Sequence, residues 1–365
     1  MTASPTSRDI INRLIRDKQC PHRMGLFEHF WDDTQPAWEL EGLPKGVDLQ
    51  EYFDYDIRFI PGAWVRSESI VDQKIVVEET DETIVTINGW GAKLRHWKHK
   101  SGTPEHLDFE LNDEKIWRKK YREPLLHFDI RRLGDLEQLK LDFNRLKATD
   151  KFIVIHDLFL VEIMRASMGD VNMLEGMYLN PAWIHDFADV VTDMMIRHFD
   201  AMITEIGRPD GAFIYEDMGY TYGPIMSPEM QREFVLPYHK RFFDLFHSHG
   251  LPVILHSCGK IRPYLDSMVE SGIDCLQVLE AKAGQHVAEF ASHMNNKIAF
   301  MGNLNIKAYE PNDRAILESE ILPKLDLIRK NRIPYVFHSD HSIPKSVKLD
   351  TYRYSLELFH RHGHY

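Results

Sequence analysis

The chain has 365 residues, 43% of them hydrophobic and 27% charged, with a net charge of -12 and only three cysteines. That length suits one large α/β domain or two smaller ones, and the negative charge argues against a nucleic-acid backbone as partner. Three cysteines make no disulfide framework, and no apolar run nears the roughly 20 residues of a membrane helix, so a cytoplasmic protein with no membrane contact is expected.

The opening stretch "MTASPTSRDIINRLIRDK" has no apolar h-region, so no secretory signal is expected. The first 125 residues are irregular and rich in tryptophan. Within them "KIVVEETDETIVTINGWGAKLRHW" alternates apolar and polar residues and carries Asn88-Gly89. That pattern predicts a β-hairpin or small meander.

From about residue 150 short apolar runs alternate with amphipathic stretches. The runs are "KFIVIHD", "GAFIYED", "LPVILHSC", "DCLQVLE", "KIAFMGN" and "IPYVFHSDH", each about the length of a buried strand. Asn180, Pro181 and Gly207 bracket a predicted helix whose Ile184, Phe187, Ala188, Val191 and Met195 share one face. A second helix opens at Ser227-Pro228-Glu229 and closes at Gly250, and Pro237 should kink or split it. A third places Ile261, Leu265, Met268 and Val269 on one face before Gly272. Repeated strand–helix units imply a parallel sheet covered on both faces or closed.

Nearly every predicted strand ends in reactive residue types: His156-Asp157, Glu216-Asp217, His256 and Cys258, Glu280, Asn303, then His338, Asp340 and His341. A closed barrel brings such ends to one rim. The expected fold is therefore α/β, a single (β/α)8 TIM barrel over residues 126–365, with residues 1–125 as an N-terminal extension containing the hairpin and packed on the barrel. No Gly-rich dinucleotide or P-loop motif occurs.

His256 and Cys258 lie two apart in extended chain and point the same way. Glu280 ends the next strand, and His341 follows the last, so both reach the same rim. Zinc takes this N, S and O chemistry and keeps one position exchangeable in catalytic sites. Asp340 or His338 would serve in place of His341. Glu216 and Asp217 are adjacent, so at most one faces the site. His156 and Asp157 are pocket candidates, while Tyr220, Tyr222, Trp183 and Met218 suit an apolar pocket or plain core. Cys275 reads as core, Cys20 as incidental, and the closing "HRHGHY" as a frayed end.

The stretch "EDMGYTYGPIMSPEMQREFVLPYHKRFFDLFHSHGLPVILHSCGKI", with "AFMGNLNI" and "SDHSIPKSV", resembles the uroporphyrinogen decarboxylase superfamily. The N-terminal "FEHFWDDTQPAWELEGLP" and "WGAKLRHWKHKSGTPEHLDFELND" look like its uncharacterised bacterial branch. The resemblance covers almost the whole chain and implies a single TIM barrel. It also implies one of two chemistries: metal-free decarboxylation of a porphyrinogen, or zinc-dependent methyl transfer involving a corrinoid protein. The decarboxylases carry an Arg-rich "RQAGR" stretch near the N-terminus, where this chain has "CPHRMGLFEHFWDD". That departure argues against a substrate with many carboxylates, which needs cationic clamps. The methyltransferases carry H-x-C and a later Cys as zinc ligands. Here His256-Ser257-Cys258 matches the pair, and the later Cys falls near His341. Zinc-dependent thiol methyltransferases also use a Glu at the distance Glu280 stands from Cys258.

The resemblance thus implies a zinc methyltransferase holding its metal with His256, Cys258, Glu280 and His341. A corrinoid protein would act in trans, because no corrinoid-binding domain is visible in the chain. Asp340 would orient a histidine. Glu216 or Asp217 would bind substrate or shuttle a proton. His156, Tyr220, Tyr222, Asn303 and His338 would contact substrate, and the aromatic N-terminal segment would lid the mouth. The rivals are a metal-free decarboxylase relying on Arg165 or Arg262 and a non-catalytic small-molecule binding protein. A homodimer is also compatible with the family.

Overall fold

The computed structural model describes residues 4–99 and 102–365. In chain order its strands are β1 (Gly25–Leu26), β2 (Ile57–Phe59), β3 (Ile75–Glu79), β4 (Thr83–Ile87), β5 (Ala92–Trp97), β6 (Glu105–Phe109), β7 (Phe152–Leu158) and β8 (Gly211–Tyr215). They continue with β9 (Gly219–Tyr220), β10 (Gly223–Pro224), β11 (Val253–Ser257), β12 (Cys275–Val278), β13 (Ala299–Gly302) and β14 (Tyr335–Phe337). Eight of them form one sheet in the order β2-β7-β8-β11-β12-β13-β14-β1. Every neighbouring pair in it is parallel.

The two end strands nearly close the barrel. The Asp56 amide donates to the Leu26 carbonyl at 2.9 Å, and the Leu26 amide donates to Asp56 Oδ2 at 2.8 Å. Arg23 holds both carboxylate oxygens of Asp56 at 2.7 Å. A side chain therefore completes what backbone pairing leaves open at the seam.

Helices cover the sheet as their sequences dictate. Pro181–Ile206 starts after Asn180 and stops at Gly207, whose φ of 105° no ordinary side chain favours. Its Ile184, Phe187, Ala188, Val191 and Met195 are all buried. The next helical stretch splits as Pro237 requires, into Pro228–Phe234 and Leu236–Ser248, with Val235 at the break. The Ser227 side chain caps the first piece by accepting from the Met230 amide.

In the N-terminal third one expectation fails and one holds. β1 and β2 are barrel strands, so the barrel begins well before residue 126. They are two and three residues long, too short for an alternating pattern to register. The expected hairpin or small meander is there, as a four-stranded antiparallel meander, β3-β4-β5-β6. That sheet meets the helix Leu160–Leu179 where Gly169 takes a φ of 76° and the Phe109 ring fills the space of the missing Cβ. Among the described residues no helix is long and apolar enough to cross a membrane.

Candidate functional site

The register of the barrel sets the site. His256 on β11 lies level with Tyr215 on β8 and Gln277 on β12. Cys258 follows β11 and Asp217 follows β8, so both rise just above that level. His256 Nε2 stands 3.3 Å from Cys258 Sγ and 3.3 Å from Asp217 Oδ1. The Cys258 amide donates to the same Asp217 oxygen at 2.8 Å. Asp217, His256 and Cys258 offer three ligand atoms within 4.8 Å of one another. The other ring nitrogen of His256, Nδ1, is taken by the Gln277 side-chain carbonyl.

Burial opposes charge on both His256 and Asp217, and their contact outweighs it. The Asp217 carboxyl is held well below the ordinary carboxylate range by His256 and the Cys258 amide. Burial likewise disfavours the imidazolium, yet Cys258 and Asp217 raise His256 well above its usual value. Burial raises the Cys258 thiol, with His256 pulling the other way. One N, one S and one carboxylate O, with no further partner of His256 Nε2 among the described residues, match the donor chemistry of a three-ligand zinc site with an exchangeable fourth position.

Beneath this cluster runs a buried polar chain of which sequence reasoning named only His338. Tyr215 O–H donates to His29 Nε2 at 3.0 Å, and His29 Nδ1–H donates to His338 Nε2 at 2.9 Å. His338 Nδ1–H donates to the Ser339 carbonyl. The Gln277 amide reaches His338 Nε2 at 3.3 Å, tying the chain to His256. Glu28 Oε1 lies 3.2 Å from that same nitrogen. Burial keeps the histidines neutral: His338 is pushed down to about 3 and His29 well below its usual value. Burial also lifts the Glu28 carboxyl to about 8, against hydrogen bonds from Ser339 and the His29 amide. Two signals for this chain were present in the sequence. They are Glu-His inside "FEHFW" and a lone glutamine in the apolar run "CLQVL".

The expected site residues separate into groups. His256 and Cys258 meet, and Asp217 joins them. Glu216 turns away, fully buried, onto His239 Nε2 at 2.7 Å and the Val161 and Glu162 amides. Glu280 sits beside the cluster without entering it: its oxygens accept from the Gly259 amide at 2.6 Å and from Lys282 at 2.7 Å. His341 packs its ring 5.7 Å from Trp31 and is outside the three-ligand group. Asp340 accepts from the Ala281 and Ile306 amides, each at 2.8 Å, and so pins two rim loops; its side chain has no hydrogen bond to a histidine among the described residues. Asn303 does similar work, bonding the Val287 amide and the Leu279 and Gln285 carbonyls.

His156 stacks on Phe59 and is pushed down to about 4 by burial. Tyr220 is half exposed and bonds Asp170, while Tyr222 is 93% exposed. Trp183 and Met218 are core. Arg165 is committed to Glu162 and Asp170, and Arg262 to Glu289.

Fold and rim together define a TIM-barrel protein whose reactive groups gather at the C-terminal ends of the strands, the face where such barrels carry their active sites. The chain belongs to the uroporphyrinogen decarboxylase (URO-D) family, whose family model matches residues 160–362. A methylated-thiol–coenzyme M methyltransferase of Methanosarcina mazei is 31% identical over 113 residues, 29% of this chain and 27% of that protein. A uroporphyrinogen decarboxylase of Hydrogenovibrio crunogenus is 29% identical over 133 residues, 35% of each chain. The chain thus spans about a third or less of the curated relatives it matches. A solved methyltransferase from Methanosarcina mazei shares the fold over 98% of this chain and 99% of its own, with a TM-score of 0.67 and 12% identity.

Proposed function

We propose that the chain is a zinc-dependent methyltransferase, moving a methyl group between a small substrate and a corrinoid protein supplied in trans. The observation that carries this reading is the convergence of Asp217, His256 and Cys258. Gln277 accepts from His256 Nδ1–H, which leaves Nε2 as the metal-binding nitrogen once its proton is released. Asp217 supplies a carboxylate already held in its charged form, and Cys258 the sulfur. A zinc ion bound there supplies Lewis acidity, lowering the pKa of a coordinated thiol or polarising an ether or amine heteroatom. Glu280 fixes the loop that carries Cys258, and the buried chain of Tyr215, His29 and His338 offers hydrogen bonds at the floor of the site.

The similarity to a methyltransferase supports this direction, and so does the engagement of the two arginines on which a decarboxylase reading would rely. Arg165 and Arg262 both face carboxylates, which suits a porphyrinogen decarboxylase poorly. Elemental analysis of the purified protein tests the reading. About one zinc per chain, absent from Cys258→Ala, is the expected result. No metal in wild type after zinc addition would return the cluster to an ordinary ion pair beside a thiol.

A further inference from the structure

A cavity of about 740 Å³ lies between the four-stranded sheet and the barrel rim. Its floor includes His156 and Tyr215, its roof Leu94, and its side walls Trp64, Val71 and Leu158. The Tyr215 ring is 5.2 Å from the His256 ring, so the chamber opens beside the three-ligand cluster. Its volume suits a small molecule.

The walls state what kind. Trp64 is 46% exposed, an indole left uncovered beside His156, whose ring centroid is 5.6 Å away. Leu158 is 45% exposed on the same chamber. Such surface in a concavity is unfavourable to leave in water. Nearly every charge in the lining is already engaged. Arg66 pairs with Asp72. Glu68 accepts from the Gly89 amide, and Asp157 from the Val65 and Leu158 amides. Burial raises both Glu68 and Asp157 and keeps His156 neutral. Lys74 alone among the charged lining side chains has no hydrogen-bond or ion-pair partner among the described residues, and it is exposed.

We propose that this chamber binds a planar aromatic monoanion, its ring against Trp64 and its anionic group at Lys74. The inference rests on reading the barrel mouth as an active site, and it names the substrate class that site admits. One free cation selects one negative charge. An aliphatic acid of equal charge lacks the flat face that stacks on an indole.

Calorimetric titration of the full-length protein with benzoate and with hexanoate tests this. Benzoate should bind about tenfold more tightly than hexanoate, and Trp64→Ala should abolish that preference while Trp64→Phe keeps most of it. Lys74→Ala should weaken benzoate about threefold. Zinc content of the same protein, read by elemental analysis, keeps the two readings apart: benzoate binding without bound metal would sink the metal reading and leave the chamber reading standing. Equal affinity for the two acids, an unaffected Trp64→Ala protein, or no binding up to about 10 mM would each overturn the proposal.

Discussion

Gln277 sits one strand away from His256 and takes the proton side of its ring. The amide thereby decides which imidazole nitrogen faces Cys258 and Asp217. Replacing Gln277 by Leu removes that choice and frees the ring to rotate. Zinc affinity should fall about 10- to 100-fold, as for other groups that orient a metal-binding histidine. Competition against a chromophoric chelator measures it, and an unchanged constant would show that the ring is held by packing alone.

Adjacent carboxylates should behave as opposites. Asp217→Asn should lose metal and keep the melting temperature within a few degrees. Glu216→Ala removes one partner of a fully buried pair and uncaps the helix that starts at Leu160. It should cost about 3–5 kcal/mol of stability in denaturant titration. The protein that still folds should bind zinc normally; metal loss there would tie Glu216 to the site after all.

Glu28 should shape the pH dependence of stability. Its carboxyl is raised in the folded chain to about 8 from an ordinary 4.5. Between those values the folded state holds a proton that the unfolded state has lost. Stability from this group therefore falls as pH rises from about 4.5 to 8 and levels off above. Glu28→Gln mimics the protonated form, so its stability relative to wild type should grow across that interval. Urea titrations at a series of pH values test this; a constant difference would mean that Glu28 is ionised in the fold.

Gly259 permits the loop beside the cluster. Its φ is 77°, and an added Cβ would lie 2.2 Å from the Gly219 carbonyl carbon. Gly259→Ala should push the β9–β10 hairpin off Cys258. A loss of about 2 kcal/mol or more is expected, together with reduced zinc content and a preserved far-UV spectrum. Full metal loading would show that the cluster tolerates movement of that hairpin.

The barrel was legible where its strands are long enough to show a pattern. The runs ending in His156, Asp217, Cys258 and Glu280 all became neighbouring strands whose ends share a rim. Their polar ends could be read as ligands, but rim residues also pin loops. Glu280, Asn303 and Asp340 spend their polar atoms on backbone amides, carbonyls or a lysine, and only side-chain direction separates them from Asp217. His29 and Glu28 escaped because β1 is too short to announce itself, so the Glu-His pair inside "FEHFW" had no strand pattern to place it in the barrel.

The outer strand of the small sheet, β3, leaves Ile75, Val76 and Val77 exposed along a row of unpaired backbone groups. Such an edge invites a second strand. Charge on an edge strand blunts such pairing, and Glu78 and Glu79 close this one. The chamber's roof thus carries its own guard against sticking to another roof, and remains free to cover the barrel of its own chain.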